Sequence, residues 1–518
     1  MELKGRRRIF TDATEITREN VITELQTALT THEANRAEIA YLLNFDKGEQ
    51  PLVREKTVRS DIDIKSIANI ANEITEFKLG YFWGNPVAMV QKSDKLPKGS
   101  DKNTDNSGIS VLNDMYYAEQ KDSKDIELAR YVEICGVGYQ MIDIKRNPQD
   151  GDAPFDLITL NPLYTFVVYS SDVYHRPMMG VTYVIREDYT KMFTVITDDA
   201  VYIIDSAYKI KNGKQSKKQF DYFEASRSGE ANPLGEVYIV EYNRSYDRTG
   251  CFERQIDELN AYNVLKSDFV NDVAQNTQAI WWGNDIELIK DETTGEVKGV
   301  QGGQWILTKT FGDGHKCDIK PLTLQYDYTG VLNNISASHD EILERAFTPR
   351  QSDPGGGSTG SAMSMSSGWS AAESVACKEA LVLKKSFQHR NSLALKAIRK
   401  SPMVEQDSPV LTLASNDIEI RFVRQKTYDL ATKVNALATM IQNQINPRVA
   451  MSTVDLFSNL AEAVDDSEAN IEKYQNSLIK SDSGATEKTQ TDTTNPDSNR
   501  TMQDMSDQTD NSPILKNQ

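Results

Sequence analysis

The stretch from Pro354 to Trp369, PGGGSTGSAMSMSSGW, is the first place where residue types and spacing invite chemistry. Glycine-rich backbone can wrap a phosphate. A cradle of the P-loop kind needs GxxxxGK[ST], with the lysine reaching the terminal phosphates and the hydroxyl on a magnesium ion. Here Gly360 is followed by Ser361-Ala362 and Gly368 by Trp369-Ser370, and the stretch follows a helical pattern rather than a strand. The nucleotide-site reading therefore lacks both its lysine and its context. The five histidines (His32, His175, His315, His339, His389) form no HxxxH or HExxH spacing, so they read as surface or packed side chains. No GxSxG elbow is present. Asp465, Asp466 and Glu468 read as acids favoured at a helix start by its dipole. The four cysteines (Cys135, Cys251, Cys317, Cys377) have no CxxC or Cys/His ligand spacing and read as separate reduced thiols of a cytosolic setting. No catalytic set, metal site or cofactor site emerges.

What the stretch does offer is freedom. Three consecutive glycines, Gly355, Gly356 and Gly357, have little conformational preference, and ordering them costs more entropy than ordering other residues. Such compositions usually join domains or hang off termini. One held between two helical patterns reads as a moving part. Six basic residues follow it: Lys378, Lys384, Lys385, Arg390, Lys396 and Arg399. They form either a solvated, carboxylate-paired face or a set of phosphate contacts.

The net charge of −18 argues against a sequence-specific DNA binder, which neutralises phosphates with a Lys/Arg surface. It is compatible with solubility alone, and with a wall past which a duplex slides without sticking. No apolar run reaches the roughly 18 to 20 residues that span a bilayer, and MELKGRRRIFTDATEI has no apolar core of a secretory signal. A length of 518 residues exceeds one core, so several structural units are expected.

The positioning elements follow from periodicity. Residues 16–43 and 64–79 carry helical spacing, the second ending at Gly80 before an aromatic turn, Tyr81-Phe82-Trp83-Gly84-Asn85-Pro86-Val87. Another helix is predicted over 112–135. From Gly136 to Tyr242, short β-branched and aromatic runs (GVGYQMIDI, FDLITL, YTFVVYS, MMGVTYVI, KMFTVIT, AVYIID, EVYIVEY) predict a mostly antiparallel sheet. A long helix is expected over 253–281, with Ile256, Leu259, Tyr262, Leu265, Phe269 and Val273 as one apolar stripe and the Trp281-Trp282 pair at its end. Strands and turns fill 283–325, and a return helix spans 326–347. After the glycine-rich stretch, Ser370 and Glu373 have the spacing of a capping box opening a helix to about Arg399. A strand at 418–423 precedes helices over 430–445, 454–463 and from about 465. Beyond about Lys480 the polar composition predicts disorder. The fold class is α+β.

The segment DIKSIANIANEITEFKLGYFWGNPV resembles the portal (head–tail connector) proteins of tailed bacteriophages, of the siphophage type. Gly80, Tyr81, Phe82, Gly84, Asn85, Pro86 and Val87 match that family's helix-to-turn signature, with Trp83 replacing another aromatic. Gly136-Val137-Gly138-Tyr139, Pro162 to Asp172, DELNAYNVLKSDFVND (257–272) and Ser366-Ser367-Gly368 with the helix after it match further segments in the right order. The resemblance spans about residues 35 to 475.

It implies a multi-domain portal fold: wing (1–252 and 348–425), stem helices (253–282 and 326–347), a β-containing clip (283–325), a helical crown (426–480) and a disordered tail (481–518). It implies a dodecameric ring at one capsid vertex, through which double-stranded DNA is packaged and ejected, in the virion and, during assembly, in the host cytoplasm. The implied partners are further copies of the chain, DNA bound without sequence preference, the terminase large subunit, the major capsid and scaffolding proteins, and a head-completion or adaptor protein, with no membrane. A tunnel loop at about 349–368 would face the channel. Its expected DNA-facing residues are Gly355, Gly356, Gly357, Ser358, Thr359, Gly360, Ser361, Met363 and Met365, with Arg350, Lys378, Lys384 and Lys385 as basic residues nearby. No enzymatic activity is expected, the ATPase being a separate terminase. Two other readings stay open: another phage head or adaptor component, and a nucleotide-dependent enzyme using the glycine-rich loop.

Overall fold

A computed structural model of the chain describes residues 5–54, 62–92, 108–149, 151–187, 189–207, 210–211, 214–215, 222–225, 229–277, 280–284, 287–288, 308–309, 318–322, 327–349, 368–424, 430–443, 445, 447–454, 467 and 470. The chain divides into two units, Met1–Ala436 and Leu437–Gln518.

The first unit opens with β1 (Ile9–Thr11), α1 (Val21–Asp46), α2 (Ile70–Phe82), β2 (Ala88–Gln91), α3 (Gly108–Ala118) and α4 (Lys121–Cys135). The β-branched and aromatic runs then become β3 (Val137–Ile144), β4 (Phe155–Leu160), β5 (Thr165–Ser170), β6 (Pro177–Ile185), β7 (Lys191–Ile196) and β8 (Ala200–Ala207). Short strands β9 (Ile210–Lys211), β10 (Lys214–Gln215), β11 (Tyr222–Ala225) and β12 (Glu230–Ala231) lead to β13 (Ile239–Asn243). One sheet has the order β1-β5-β6-β7-β8-β11 with β12 also on β8, and a second has the order β13-β3-β4. Only the β1–β5 pair is parallel among these ladders, so the antiparallel expectation holds.

Helix α1 serves two cores. Its first half packs Val21, Leu25 and Ala28 on the large sheet with Phe166, Val181 and Phe193. Its second half gives Ile39, Leu42 and Phe45 to a larger core built around α2, α4, β3, β13 and the long helix of residues 369–400. Gly136 closes α4 in the left-handed region (φ 75°). A Cβ there would sit 2.4 Å from the Arg248 carbonyl oxygen, so the chain turns into β3 only because this residue has none.

The remaining elements are α5 (Ile256–Thr277), β14 (Ile280–Asn284), β15 (Glu287–Leu288), β16 (Thr308–Lys309), β17 (Asp318–Leu322), α6 (Tyr328–Arg345), α7 (Trp369–Lys400), β18 (Ile418–Arg421), α8 (Leu430–Gln442) and α9 (Pro447–Val454). β14 pairs with β17, β15 with β16, and β18 with β2, all antiparallel.

Several expectations are corrected. The helix expected from 253 to 281 is α5, which ends at Thr277; Trp281 and Trp282 lie in β14 opposite Pro321 and Lys320. Two adjacent aromatics after a β-branched residue favour a pleated strand over another helical turn. The helix expected over 112–135 is two, broken where Gln120 takes a positive φ of 53°. Ser370 does not cap α7: the helix starts one residue earlier, with Gly368 in the N-cap position. Asn446-Pro447 does not merely end a helix, because Pro447 starts α9, where its missing N–H costs nothing. Of the helices expected beyond Val454, only Ser467 and Asn470 of the one from about 465 are described, both helical; the rest and the tail after Lys480 fall outside the described residues, as does most of the 283–325 segment.

The largest correction concerns residues 64–69, expected as helix and found outside any helix or strand, with Asn69 in the left-handed region (φ 49°) and α2 starting at Ile70. The cause is a polar ladder on α5. Asn263, Ser267 and Asn271, each four residues apart, are buried and point one way. The Asn271 Oδ1 accepts the Ile64 N–H at 2.9 Å, the Ser267 Oγ accepts the Ser66 N–H at 3.0 Å, and the Asn263 Oδ1 accepts the Ala68 N–H at 3.0 Å. Asn271 and Ser267 also donate to the Ile64 and Ser66 carbonyls at 2.8 and 3.2 Å. One i, i+4 step on α5 rises about 6 Å, and every second amide from Ile64 to Ala68 meets a polar side chain. The apolar stripe correspondingly stops early: Ile256, Leu259 and Tyr262 are buried, whereas Val273 is exposed.

Asn271→Ala should leave both Ile64 backbone groups without their partner. A loss of about 1–3 kcal/mol is expected, read as a lower urea midpoint with faster hydrogen exchange at residues 62–68.

Candidate functional site

The glycine-rich stretch leaves from the end of α6 and returns at the start of α7, and both points are described in detail. Helix α6 begins on Asp327, whose side chain accepts the Gly330 N–H, and ends in a Schellman turn. There the Phe347 N–H donates to the Glu344 carbonyl at 3.0 Å and the Thr348 N–H to the Leu343 carbonyl at 2.8 Å. This turn needs a left-handed residue and normally uses glycine. Phe347 occupies it instead, with φ 54°. A bulky side chain in that region costs roughly 1–2 kcal/mol, so neighbouring contacts must hold it.

One such contact is Lys78, on the inward face of α2 with Ile74 and Tyr81. Its Nζ donates to the Phe347 carbonyl at 3.1 Å. Lys78 is 3% exposed, and burial lowers the pKa of its ammonium, with Glu379 and Glu133 opposing that shift. On the return side, Gly368 (φ 85°) caps α7, and a Cβ built on it would lie 3.7 Å from the Pro349 Cα. Departure and return points therefore touch. Trp369 then packs its indole against Phe77 and Tyr81 of α2, with centroid distances of 5.9 and 5.6 Å. The Tyr81 hydroxyl donates to the Glu373 carboxylate at 2.6 Å, and Arg424 pairs with the same group at 2.9 Å. Glu373, expected to close a capping box, instead joins α7 to α2 and to the chain after β18.

The aromatic turn is the anchor of this base. Phe82 and Trp83 are buried; Phe82 stacks on Phe422 at 5.1 Å, and Trp83 meets Phe387 of α7 at 6.2 Å. The Trp83 Nε1 donates to Glu133 at 3.0 Å, and the Asn85 side chain donates to the Val423 carbonyl at 3.0 Å. Gly80 lies inside α2 rather than ending it, while Gly84 and Pro86 are exposed at the bend. Beneath the turn, Arg244 bridges Glu133, at 2.9 Å, and Glu379 of α7. Burial pushes the Glu379 carboxyl up to about 7, with Arg244 and Lys78 opposing and Glu133 reinforcing.

The basic residues of α7 separate into two groups. Arg390 is fully buried, paired with Asp125 at 2.6 Å and lying over the Phe387 ring at 4.5 Å. Lys396 pairs with Glu236 at 2.6 Å, and Arg399 donates to the Leu411 and Leu413 carbonyls. These three hold the fold. Lys378 and Lys385 are exposed and Lys384 is half-buried. At 1.5 Å per residue, Lys378 and Lys385 lie about 14 and 24 Å along α7 from Trp369. Arg350, Gly355, Gly356, Gly357, Ser358, Thr359, Gly360, Ser361, Met363 and Met365 lie outside the described residues. Sequence reasoning missed Lys78, Glu133, Arg244 and Glu379. A signal existed for Lys78, a lysine four residues after Ile74 on an otherwise apolar face; the other three are legible only by their partners.

Glu379 gives a pH signature. Its carboxyl is raised from 4.5 to about 7 in the fold, so its stabilising contribution is complete below about 4.5 and lost as pH rises through about 7. Glu379→Gln removes the ionisation while keeping the shape. Melting scans from about pH 5 to 8 should show wild type losing on the order of 1–3 kcal/mol relative to this variant.

Among the described residues no group of acidic, histidine or cysteine side chains could hold a metal ion, and no helix is long and apolar enough to cross a membrane. No curated protein matches the chain. The family described as phage portal protein, SPP1 Gp6-like, matches residues 47–477. That match contains α2 with its aromatic turn, the α5 and α6 pair, both ends of the glycine-rich stretch and α7. It covers most of the 518 residues, and the chain belongs to the phage portal protein family.

Proposed function

We propose that this portal protein assembles as a dodecameric ring at one capsid vertex and that a tunnel loop at about residues 349–368 of each copy faces the channel through which double-stranded DNA passes. In this reading α5 and α6 are the stem, the 283–325 segment is the clip, residues 1–252 and 348–425 form the wing, and 426–480 the crown. The clip receives the terminase large subunit and later a head-completion or adaptor protein; the wing meets capsid and scaffolding proteins. The chain itself performs no catalysis, and the energy for movement comes from the terminase ATPase.

The observation that carries the reading is the base of the glycine-rich stretch. Its two ends meet at Pro349 and Gly368 on a packed platform of α2, α6 and α7. From Gly355 to Met365 the stretch carries no charged side chain, so it can touch a passing duplex without trapping a phosphate. The net charge of −18 works the same way, because acidic walls repel the backbone. Lys378, Lys384 and Lys385 on α7 would provide weak, salt-sensitive attraction near the loop.

Negative-stain images of the purified chain should show rings with a central hole, which another adaptor component need not form. Deleting Gly355–Ser361 should leave the rings intact and reduce DNA filling of heads. Normal filling by rings of the deleted chain would overturn the loop assignment. ATP hydrolysis by the isolated chain, lost on changing the glycines, would instead support the enzymatic alternative.

A further inference from the structure

The two hydrophobic cores share α1, and where they meet they leave a cavity. Phe166 of one core and Ile39 of the other stand in its wall. Three arginines stand there with them: Arg6 and Arg7 from the chain before β1, and Arg248 from the segment between β13 and α5. No acidic residue lines it. Each guanidinium has its carboxylate outside the wall. Arg6 pairs with Glu38 at 3.1 Å and with Glu253 at 2.5 Å, Arg7 with Glu38 at 2.8 Å, and Arg248 with Glu241 at 2.5 Å. Three positive charges are balanced by three carboxylates, but only the positive partners line the cavity.

Arg248 has a nitrogen to spare. The residue is 4% exposed, and its backbone is held in the left-handed region with φ 58°. Its Nε donates to the Asn243 side chain at 3.2 Å and its Nη2 meets Glu241, both on one edge of the planar guanidinium. Nη1 lies off that edge, is buried, and has no hydrogen-bond partner among the described residues. A buried charged donor left in that state is costly. The cavity that Arg248 lines measures about 10 Å³, which is room for one small ligand and too little for a phosphate.

The geometry points to a binding site for one small monovalent anion of the halide class, held by Arg248 Nη1 inside a wall made positive by Arg6 and Arg7. A halide only accepts hydrogen bonds, which suits charged groups that only donate. Its single charge is favoured where guanidiniums face inward and their carboxylates stand outside. Arg7 is exposed, so an ion has a solvent-side approach. The Arg6 N–H already donates to the Arg248 carbonyl at 3.1 Å, and the anion adds a second tie between the chain before β1 and the segment before α5. The site stands whether or not the channel reading holds.

The test uses the full-length chain and bromide as the probe, with gluconate, too large for the cavity, as the control anion at equal ionic strength. Crystals grown in bromide should show an anomalous bromine peak within hydrogen-bond reach of Arg248 Nη1. In urea unfolding, the folded-to-unfolded ratio should rise about tenfold once bromide reaches about ten times its dissociation constant, and gluconate should not reproduce the rise. Arg248→Lys keeps a cation for Glu241 and removes Nη1, so both the peak and the bromide-specific rise should be lost in R248K. A cavity holding only water in wild-type crystals, stabilisation matched by gluconate, or a bromide site that survives in R248K each overturns the proposal. If R248K does not fold, the wild-type map and the bromide–gluconate comparison decide by themselves: both positive support the site, and either one negative rejects it.

Discussion

A single buried carboxylate, Glu133, sets the terms for the centre of this molecule. It is fully buried, and its two oxygens receive the Trp83 indole N–H and the Arg244 guanidinium. Its backbone carbonyl accepts the Cys251 N–H at 2.7 Å, so the same residue also registers the chain that leads into α5. A carboxylate in that position is tolerable only with its partners in place. The aromatic turn, the β13 edge and the platform under α7 must all be assembled together. That requirement explains why a family signature built of aromatics and glycine sits over charged groups rather than over a purely apolar core.

A second theme is the use of polar ladders where apolar packing would leave backbone unsatisfied. Residues 64–69 run beside α5 outside any helix or sheet, and their amides need partners. Asn263, Ser267 and Asn271 supply them at one helical repeat after another. Arg390, fully buried in the larger core, ties α7 to α4 and β3 through Asp125 and Gln140 and lies over the rings of Tyr116 and Phe387. These networks fix register more sharply than apolar contacts, because a displaced buried donor or acceptor has no substitute partner.

Much of this was legible from residue types. The seven β-branched and aromatic runs became β3 to β8 and β13, and the return helix and α7 fell within two residues of their expected limits. Periodicity reads these elements well because each buries one face. It failed where burial is polar: the helical spacing of Ile64 and Ile67 concealed a non-helical strap held by the α5 ladder. The helix expected over 253–281 overran because Ile280-Trp281-Trp282 fits either period and only pairing with β17 decides between them. The capping-box reading failed because Glu373 has better partners in Tyr81 and Arg424 than in its own backbone.

The sequence by itself determined the α+β class, the antiparallel character of the middle region, the absence of a P-loop and the resemblance that the family match upholds. Those properties depend on local periodicity and on ordered short motifs, which a linear chain carries in full. Tertiary structure alone decided which charged residues are structural, that Pro349 and Gly368 touch, and that Lys78 holds a strained turn on another helix. A buried charge is defined by partners hundreds of residues away, and nothing in the order of residues states which carboxylate a lysine will meet.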